Sequence, residues 1–223
     1  MTVVEGLATR VVRVAATTDR LAVVAEARDD IGVHGDASAS LDGEVLTLDA
    51  HGRLLVRVPA GTSLVIGTTS GRISVRGAVG SCSISTESGR ISVEHAWRLD
   101  VRSGSGRVEV GTVEEGCRVR VGSGRIQVRA CGDADVSTEN GRIQLADARG
   151  TVRAHCVSGR IEIDLGAAHD VDASTVSGRI EVTHPPGVTV EHRTDPGSDA
   201  DAPGSSCIVV ARSVSGRVTV RPR

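Results

Sequence analysis

The sequence predicts an all-β fold, a single parallel β-solenoid (β-helix) in which each coil of about 18 residues carries two short strands. The first observation is a repeated Gly-Arg pair followed by Ile or Val, with glycines at positions 71, 89, 106, 124, 141, 159, 178 and 216. The second is that the residues two and four places after each of these glycines are aliphatic. The third is that the 223 residues include one Trp and neither Phe nor Tyr, so aliphatic side chains must fill a narrow core.

Each coil is predicted to place its two strands on either side of a Gly corner, preceded by Ser in every repeat but one. Aliphatic residues stand two and four places after the glycine, as with Ile73 and Val75, and five and seven places before it, as with Ile66 and Leu64. This alternation is typical of strands with one buried face. The alternation of inward and outward residues shifts by one position at the corner, which indicates a sharp bend. Glycine tolerates the backbone angles of such a bend.

Four segments are predicted along the chain: N-terminal strands and a cap of the solenoid over 1–61, regular coils over 62–183, a Pro- and Asp-rich loop over 184–206, and a closing coil over 207–223. The motif has a weaker copy, Gly52-Arg53-Leu54, which lies 19 residues before Gly71. The spacing of 38 residues between Gly178 and Gly216 equals two coils of 19. We therefore expect the repeat to continue through both ends of the regular region.

Charge and cysteine usage predict a cytoplasmic protein. The net charge is −2, so no strong overall field attracts nucleic acid or acidic membranes. The first residues lack the basic and apolar regions of a signal peptide, and no apolar run is long enough for a membrane helix. The five cysteines form no close pair, which indicates reduced thiols.

The repeat resembles an adhesin-type family of bacterial β-strand repeats, a domain of unknown function. The residues that carry the resemblance are Leu55-Val-Arg-Val-Pro-Ala-Gly61, the serial Ser-Gly corners and the closing Val214-Ser-Gly-Arg-Val-Thr-Val220, and together they cover most of the chain. The resemblance implies a parallel β-helix without an established enzyme activity. Members often carry Asp or Asn after the corner glycine, where this chain has Arg.

The outward residue after each glycine is an arginine, and this arginine ladder is the candidate site. Its members are Arg72, Arg90, Arg107, Arg125, Arg142, Arg160 and Arg179. Two places further along the same face these seven coils carry three Glu, so seven Arg against three Glu leave a local excess of four positive charges. Guanidinium groups bind carboxylate and phosphate well, which indicates a polyanion or an unidentified protein as partner. The alternative is a solvated ladder that takes counter-ions and corner carboxylates such as Glu87 and Glu139.

No catalytic residue, cofactor or metal site is predicted. The chain has no Cys-x-x-Cys or His-x-x-x-His spacing, and its Gly-x-Gly runs fall at predicted corners that no helix follows. Cys82 and Cys117 share an inward column, so we expect them to be core thiols. Nucleic acid is disfavoured as a partner because the pI is near 6.4 and the chain lacks a set of aromatic rings for base stacking.

These observations favour a non-enzymatic β-solenoid that serves as a binding or assembly scaffold. One alternative is a self-assembling, filament-forming structural solenoid, since solenoid ends can stack. Another is a carbohydrate-active β-helix, although no acidic column is visible in the repeat. The sequence is also compatible with a homo-oligomer.

Overall fold

A computed structural model describes residues 2–4, 11–186, 190–193 and 207–223. The described residues are almost entirely strand and contain no helix, and their architecture is solenoid-like with mostly parallel pairing, which confirms the predicted all-β class. The strands are β1 (Thr2–Val4), β2 (Val11–Glu26), β3 (Ile31–Asp42), β4 (Val45–Pro59), β5 (Ser63–Thr68), β6 (Arg72–Ala148), β7 (Val152–Leu165), β8 (Val171–His184), β9 (Val190–Arg193) and β10 (Cys207–Pro222). Among these residues no helix exists that could cross a membrane.

The aliphatic columns of the repeat form the core. The inward residues on both sides of the corners are buried throughout β5 to β8, and Ile73, Ile126 and Ile161 are each at most 2% exposed. β2 has the same alternation without the Gly-Arg motif, since Leu21 and Val23 are buried. Burial of such side chains contributes about 1.5–3 kcal/mol each, so the stacked columns supply most of the stabilisation that a core without Phe or Tyr can offer.

The chain divides into two compact units, Met1–Glu114 and Glu115–Arg223. The predicted boundaries at 61/62, 183/184 and 206/207 stay predictions. In the first unit the strand order is β1-β3-β4-β2, followed by β5 and the start of β6. β1 pairs antiparallel with β3, and β3 pairs antiparallel with β4, whereas all later pairs of the unit are parallel.

The position of β2 corrects the expectation for the weak copy of the motif at Gly52. β2 lies between β4 and the first regular coil, so Arg53 pairs with Arg20, and Arg20 in turn pairs with Arg72. The order of the strands in the sheet therefore differs here from their order along the chain. The reason is that β4 pairs along one edge of β2, which leaves the other edge of β2 for β5 and β6.

In the second unit, the end of β6 pairs with β7, β7 with β8, and β8 with β10, all in parallel. The registers follow the repeat: Gly141 pairs with Gly159, and Gly159 with Gly178. The expectation that the 38-residue gap spans two coils is wrong, because Gly216 pairs directly with Gly178. Part of the extra chain forms β9, which pairs with β10. Residues 194–206 of the predicted Pro- and Asp-rich loop lie outside the described residues.

Close backbone stacking explains the invariant glycine at each corner. Gly89 has a φ of 137°, which disfavours any residue with a side chain. A Cβ atom on Gly89 would also collide with the carbonyl oxygen of Gly71 in the coil below. In the second unit Gly159 has a φ of 149° and has the same relation to Gly141. Gly89, Gly106, Gly141 and Gly159 are thus required for both conformation and space, whereas Gly178 and Gly216 are required for space.

A column of small, mostly polar residues lies three places before the corner glycines. In the first unit the Thr68 hydroxyl donates to Thr86 Oγ1 over 3.1 Å, and Thr86 Oγ1 lies 3.1 Å from the carbonyl oxygen of Ser88. Ser103 Oγ donates to the carbonyl oxygen of Ser105 over 3.0 Å. The hydroxyls of Thr86 and Ser103 thus bond to backbone carbonyl oxygens at the corners.

Candidate functional site

The predicted arginines all lie outside the core, each directly before a buried aliphatic residue. In the first unit Arg72 and Arg90 are exposed and Arg107 is half-buried. In the second unit Arg125 and Arg179 are exposed, while Arg142 and Arg160 are half-buried. The outward placement follows from the period-2 geometry of the strand, in which neighbouring side chains point to opposite faces.

Two further arginines extend the row in the first unit. Arg20 pairs with Arg53 on one side and with Arg72 on the other. The row continues to Arg90, whose backbone N–H donates to the carbonyl oxygen of Gly71 over 3.0 Å. The Gly-Arg motif does not identify Arg20, because no glycine precedes it. Arg20-Leu-Ala-Val23 nevertheless has the Arg-aliphatic-x-Val pattern of the regular coils.

This part of the first unit contains a groove of about 400 Å³. Its lining residues are Arg20, Ala22, Val24, Leu55, Arg72, Ser74, Arg76, Arg90, Ser92 and Glu109. Ala22 pairs with Leu55 and with Ser74, so these residues occupy one line across the strands, parallel to the arginine row. Ser92 and Glu109 stand at the same place in the next two repeats. Small side chains on this line leave room between the row of Arg20, Arg72 and Arg90 and the separate Arg76.

The groove has a strong positive charge. Four guanidinium groups face one carboxylate in its lining, which leaves an excess of three positive charges. The carboxylate of Glu109 already accepts a hydrogen bond from Arg107 Nη1 over 3.4 Å. Among the described residues no carboxylate forms an ion pair with Arg72, Arg76 or Arg90. Equivalent residues on adjacent strands lie about 4.8 Å apart, so these like charges repel each other and favour an anion between them.

The corresponding row in the second unit is partly neutralised. Arg160 Nη1 donates to Glu162 over 3.0 Å, and Glu181 accepts from Arg221 at the last coil. Arg223 donates to Asp164 over 2.6 and 2.8 Å. Of the ladder arginines in this unit, Arg160 is thus paired with the glutamate two places along its strand. Glu181 and Asp164 pair instead with arginines near the C-terminus. In the part of the chain that the structure describes, Glu87 and Glu139 form no ion pair with the ladder, contrary to the alternative considered from the sequence.

The strand before each corner has a mixed outward face whose charges pair with one another. Arg102 Nη2 lies 3.4 Å from Asp100, while Arg118 and Arg120 lie 3.2 and 3.7 Å from Asp135. These pairs are exposed and contribute little to stability. Arg102, Arg118 and Arg120 thus have local carboxylate partners, unlike the groove residues Arg72, Arg76 and Arg90. Among the described residues Arg125, Arg142 and Arg179 of the second unit also form no ion pair.

Four of the five cysteines belong to the core. Cys82, Cys117, Cys131 and Cys156 are free and buried, as expected for the first two. Burial raises the pKa of the Cys82 thiol to about 12 and that of Cys131 to about 11, and it also raises the pKa of Cys117. Cys156 occupies the column of small corner residues, between Thr138 and Thr175. Among the described residues no group of three or more His, Cys, Asp or Glu could hold a metal ion.

Comparison with known proteins places the chain in a family. Residues 21–221 match the Toastrack DUF4097 family, a domain of unknown function, and the chain belongs to this family. The match confirms the unknown-function domain expected from the sequence, while the adhesin-type resemblance stays a prediction. No curated protein and no solved structure gives a significant match.

Proposed function

We propose that this protein is a non-enzymatic β-solenoid scaffold that binds an anionic partner through its outward arginines. The observation that carries the proposal is the row of Arg20, Arg72 and Arg90 beside Arg76, a concentration of positive charge on a chain whose net charge is −2. Guanidinium groups without carboxylate partners are free to form paired hydrogen bonds with phosphate or carboxylate.

The scaffold consists of coils of about 18 residues with two short strands each. Support comes from the registers, in which Leu64 pairs with Cys82 and Ala134 with Val152, both 18 residues apart. In such a fold every coil repeats the same outward positions, so a residue type that recurs at one position becomes a row. A row with regular spacing is suited to a ligand whose charges also recur.

The composition of the groove favours binding over catalysis. Glycoside hydrolysis, the reaction of the carbohydrate-active alternative, requires two carboxyl groups on either side of the scissile bond. The groove lining includes one carboxylate, Glu109, and Arg107 already donates a hydrogen bond to it. A cytoplasmic location is part of this proposal, and the buried free thiols of Cys82 and Cys131 support it because reduced cysteines are typical of that compartment.

The proposal is tested by measuring binding of a long-chain inorganic polyphosphate to the full chain over a series of salt concentrations. We expect an affinity that falls by about tenfold or more between about 0.05 and 0.5 M salt, because added ions screen exposed charges. A variant with Arg72, Arg90, Arg142 and Arg179 changed to Gln should lose most of this binding.

The matched control removes the same charge from the opposite strand, with Arg102, Arg118, Arg120 and Arg153 changed to Gln. We expect this control to keep most of its affinity. Equal losses in the two variants would show that net charge alone drives binding, and the absence of binding by the unaltered chain would refute the proposal.

A further inference from the structure

The groove on the first unit is short, which limits the length of the ligand that it can bind. The arginine row beside it comprises Arg20 on β2 and Arg72 and Arg90 on successive coils of β6, so the charged wall is about 10 Å long. Leu55 lies at one end of the floor and Glu109 at the other. An apolar side chain and a carboxylate both disfavour continuation of an anionic ligand beyond these ends.

We propose that this groove is a specific site for a short linear oligophosphate, with about three phosphate groups along the row. The inference rests on the proposed anion-binding function and goes further, since it places recognition in one groove rather than along the whole arginine ladder. In the second unit Arg160 pairs with Glu162 and lies between Arg142 and Arg179, so the described ladder of this unit has no three adjacent arginines without an ion pair.

The arrangement of donors matches phosphate. Arg20, Arg72 and Arg90 present guanidinium groups from one side, and Arg76 presents another from further along its strand. Each guanidinium can donate two parallel hydrogen bonds to one phosphate. The charge of the groove lining, an excess of three, complements a chain of phosphates that would otherwise repel each other.

The floor allows the ligand to approach the sheet closely. Ala22, Ser74 and Ser92 are the smallest residues of the lining, and Ala22 and Ser74 are direct neighbours on paired strands. The hydroxyls of Ser74 and Ser92 can donate further hydrogen bonds to phosphate oxygens. A floor of long side chains would lift the ligand out of reach of the row and of Arg76.

An extended acidic peptide fits this geometry less well. In an extended strand successive side chains point to opposite sides, and those on the same side recur about every 6.6 Å. The arginine row has a spacing of about 4.8 Å and lies mostly on one side of the floor. A phosphate chain carries negative oxygens on all sides, so each of its groups can contact the row.

The test is a calorimetric titration of the full chain with inorganic tripolyphosphate, compared with monophosphate and with a peptide of three glutamates. We expect tripolyphosphate to bind at least about tenfold more tightly than either competitor, because several charge-assisted contacts form at once. Changing Arg20, Arg72 and Arg90 to Gln should weaken this binding by about tenfold or more.

Two further variants separate the groove from charge in general. Changing Arg102, Arg118 and Arg120 to Gln removes the same charge from the strand before the corner and should leave the affinity within about twofold. Ser74→Leu keeps every charge but fills the floor, and should weaken tripolyphosphate binding by about tenfold. Thermal melts of each variant establish that it is folded.

The outcomes distinguish this inference from the broader function. Equal losses in the two triple variants would overturn the groove site, as would tighter binding of the glutamate peptide than of tripolyphosphate. Binding of long-chain polyphosphate without binding of tripolyphosphate would also overturn the site but leave the scaffold function intact. If neither anion binds, both proposals fail.

Discussion

At the scale of single residues, the corner glycines and the outward arginines of the same motif have separate roles. The glycine at each corner is fixed by backbone geometry, as the stacking of Gly159 on Gly141 shows. The arginine that follows is exposed or half-buried and makes no contribution to the core. Sequence reasoning could separate these roles because the alternation of buried and exposed positions follows directly from strand geometry.

The corner requirement predicts that Gly159→Ala is strongly destabilising. The φ of 149° is unfavourable for Ala, and the added Cβ would collide with the carbonyl oxygen of Gly141. We expect a loss of about 1–3 kcal/mol in the free energy of unfolding, measured by urea denaturation. Gly116→Ala is the matched control, since no atom lies within 4 Å of a Cβ at that position. Equal denaturation midpoints for the two variants would contradict the role of the corner.

The buried thiols predict low reactivity and a loss of stability at high pH. Burial raises the pKa of Cys82 from 9.0 to about 12 and that of Cys131 from 9.0 to about 11. At a pH above 9.0 and below these raised pKa values, the unfolded chain releases thiol protons that the folded chain keeps. The free energy of unfolding therefore falls as the pH rises above about 9.

Labelling at pH 8 with a maleimide, followed by mass spectrometry, should therefore leave Cys82, Cys117, Cys131 and Cys156 unmodified in the folded chain and modify them in denaturant. Urea midpoints measured at pH 8 and at pH 10.5 should show lower stability at the higher pH. Rapid labelling of Cys82 in the native protein would contradict the buried position.

At the scale of strands and coils, the repeat determines the register but not the order of the strands. The columns of buried residues predicted which residues stack in β6, β7 and β8, because each coil has nearly the same length. The insertion of β2 between β4 and the first coil could not be predicted, since an amphipathic strand carries the same pattern whichever neighbour it pairs with. This insertion adds Arg20 to the candidate site.

The polar column at the corners predicts a measurable role for Thr86. Its hydroxyl is buried, receives a hydrogen bond from Thr68 and lies 3.1 and 3.3 Å from the carbonyl oxygens of Ser88 and Thr69. Thr86→Val keeps the shape but removes these bonds and should cost about 1 kcal/mol of stability, measured as a shift in urea midpoint.

Thr175→Val serves as the control in the same column, because Thr175 Oγ1 has one long hydrogen bond, of 3.5 Å, to Val157. We expect a smaller effect there. A larger loss for Thr175→Val than for Thr86→Val would indicate that these hydroxyls do not stabilise the corners.

At the scale of the whole molecule, local charge matters more than net charge. The net charge of −2 argues against non-specific attraction of anions, whereas the groove on the first unit concentrates an excess of three positive charges. The sequence predicted a ladder of seven arginines with three Glu two places further along. Glu109 and Glu162 pair with the arginine of their own coil, whereas Glu181 pairs with Arg221, and that choice depends on side-chain placement which the repeat does not encode.

The central claim is that an anion binds at the arginines beside this groove. The most direct test is an NMR titration of the full chain with tripolyphosphate, in which the side-chain Nε–H resonances of the arginines are followed. We expect the signals of Arg20, Arg72, Arg76 and Arg90 to shift together and those of Arg102, Arg118 and Arg120 to stay in place. Shifts confined to the second set, or spread equally over both, would contradict the claim.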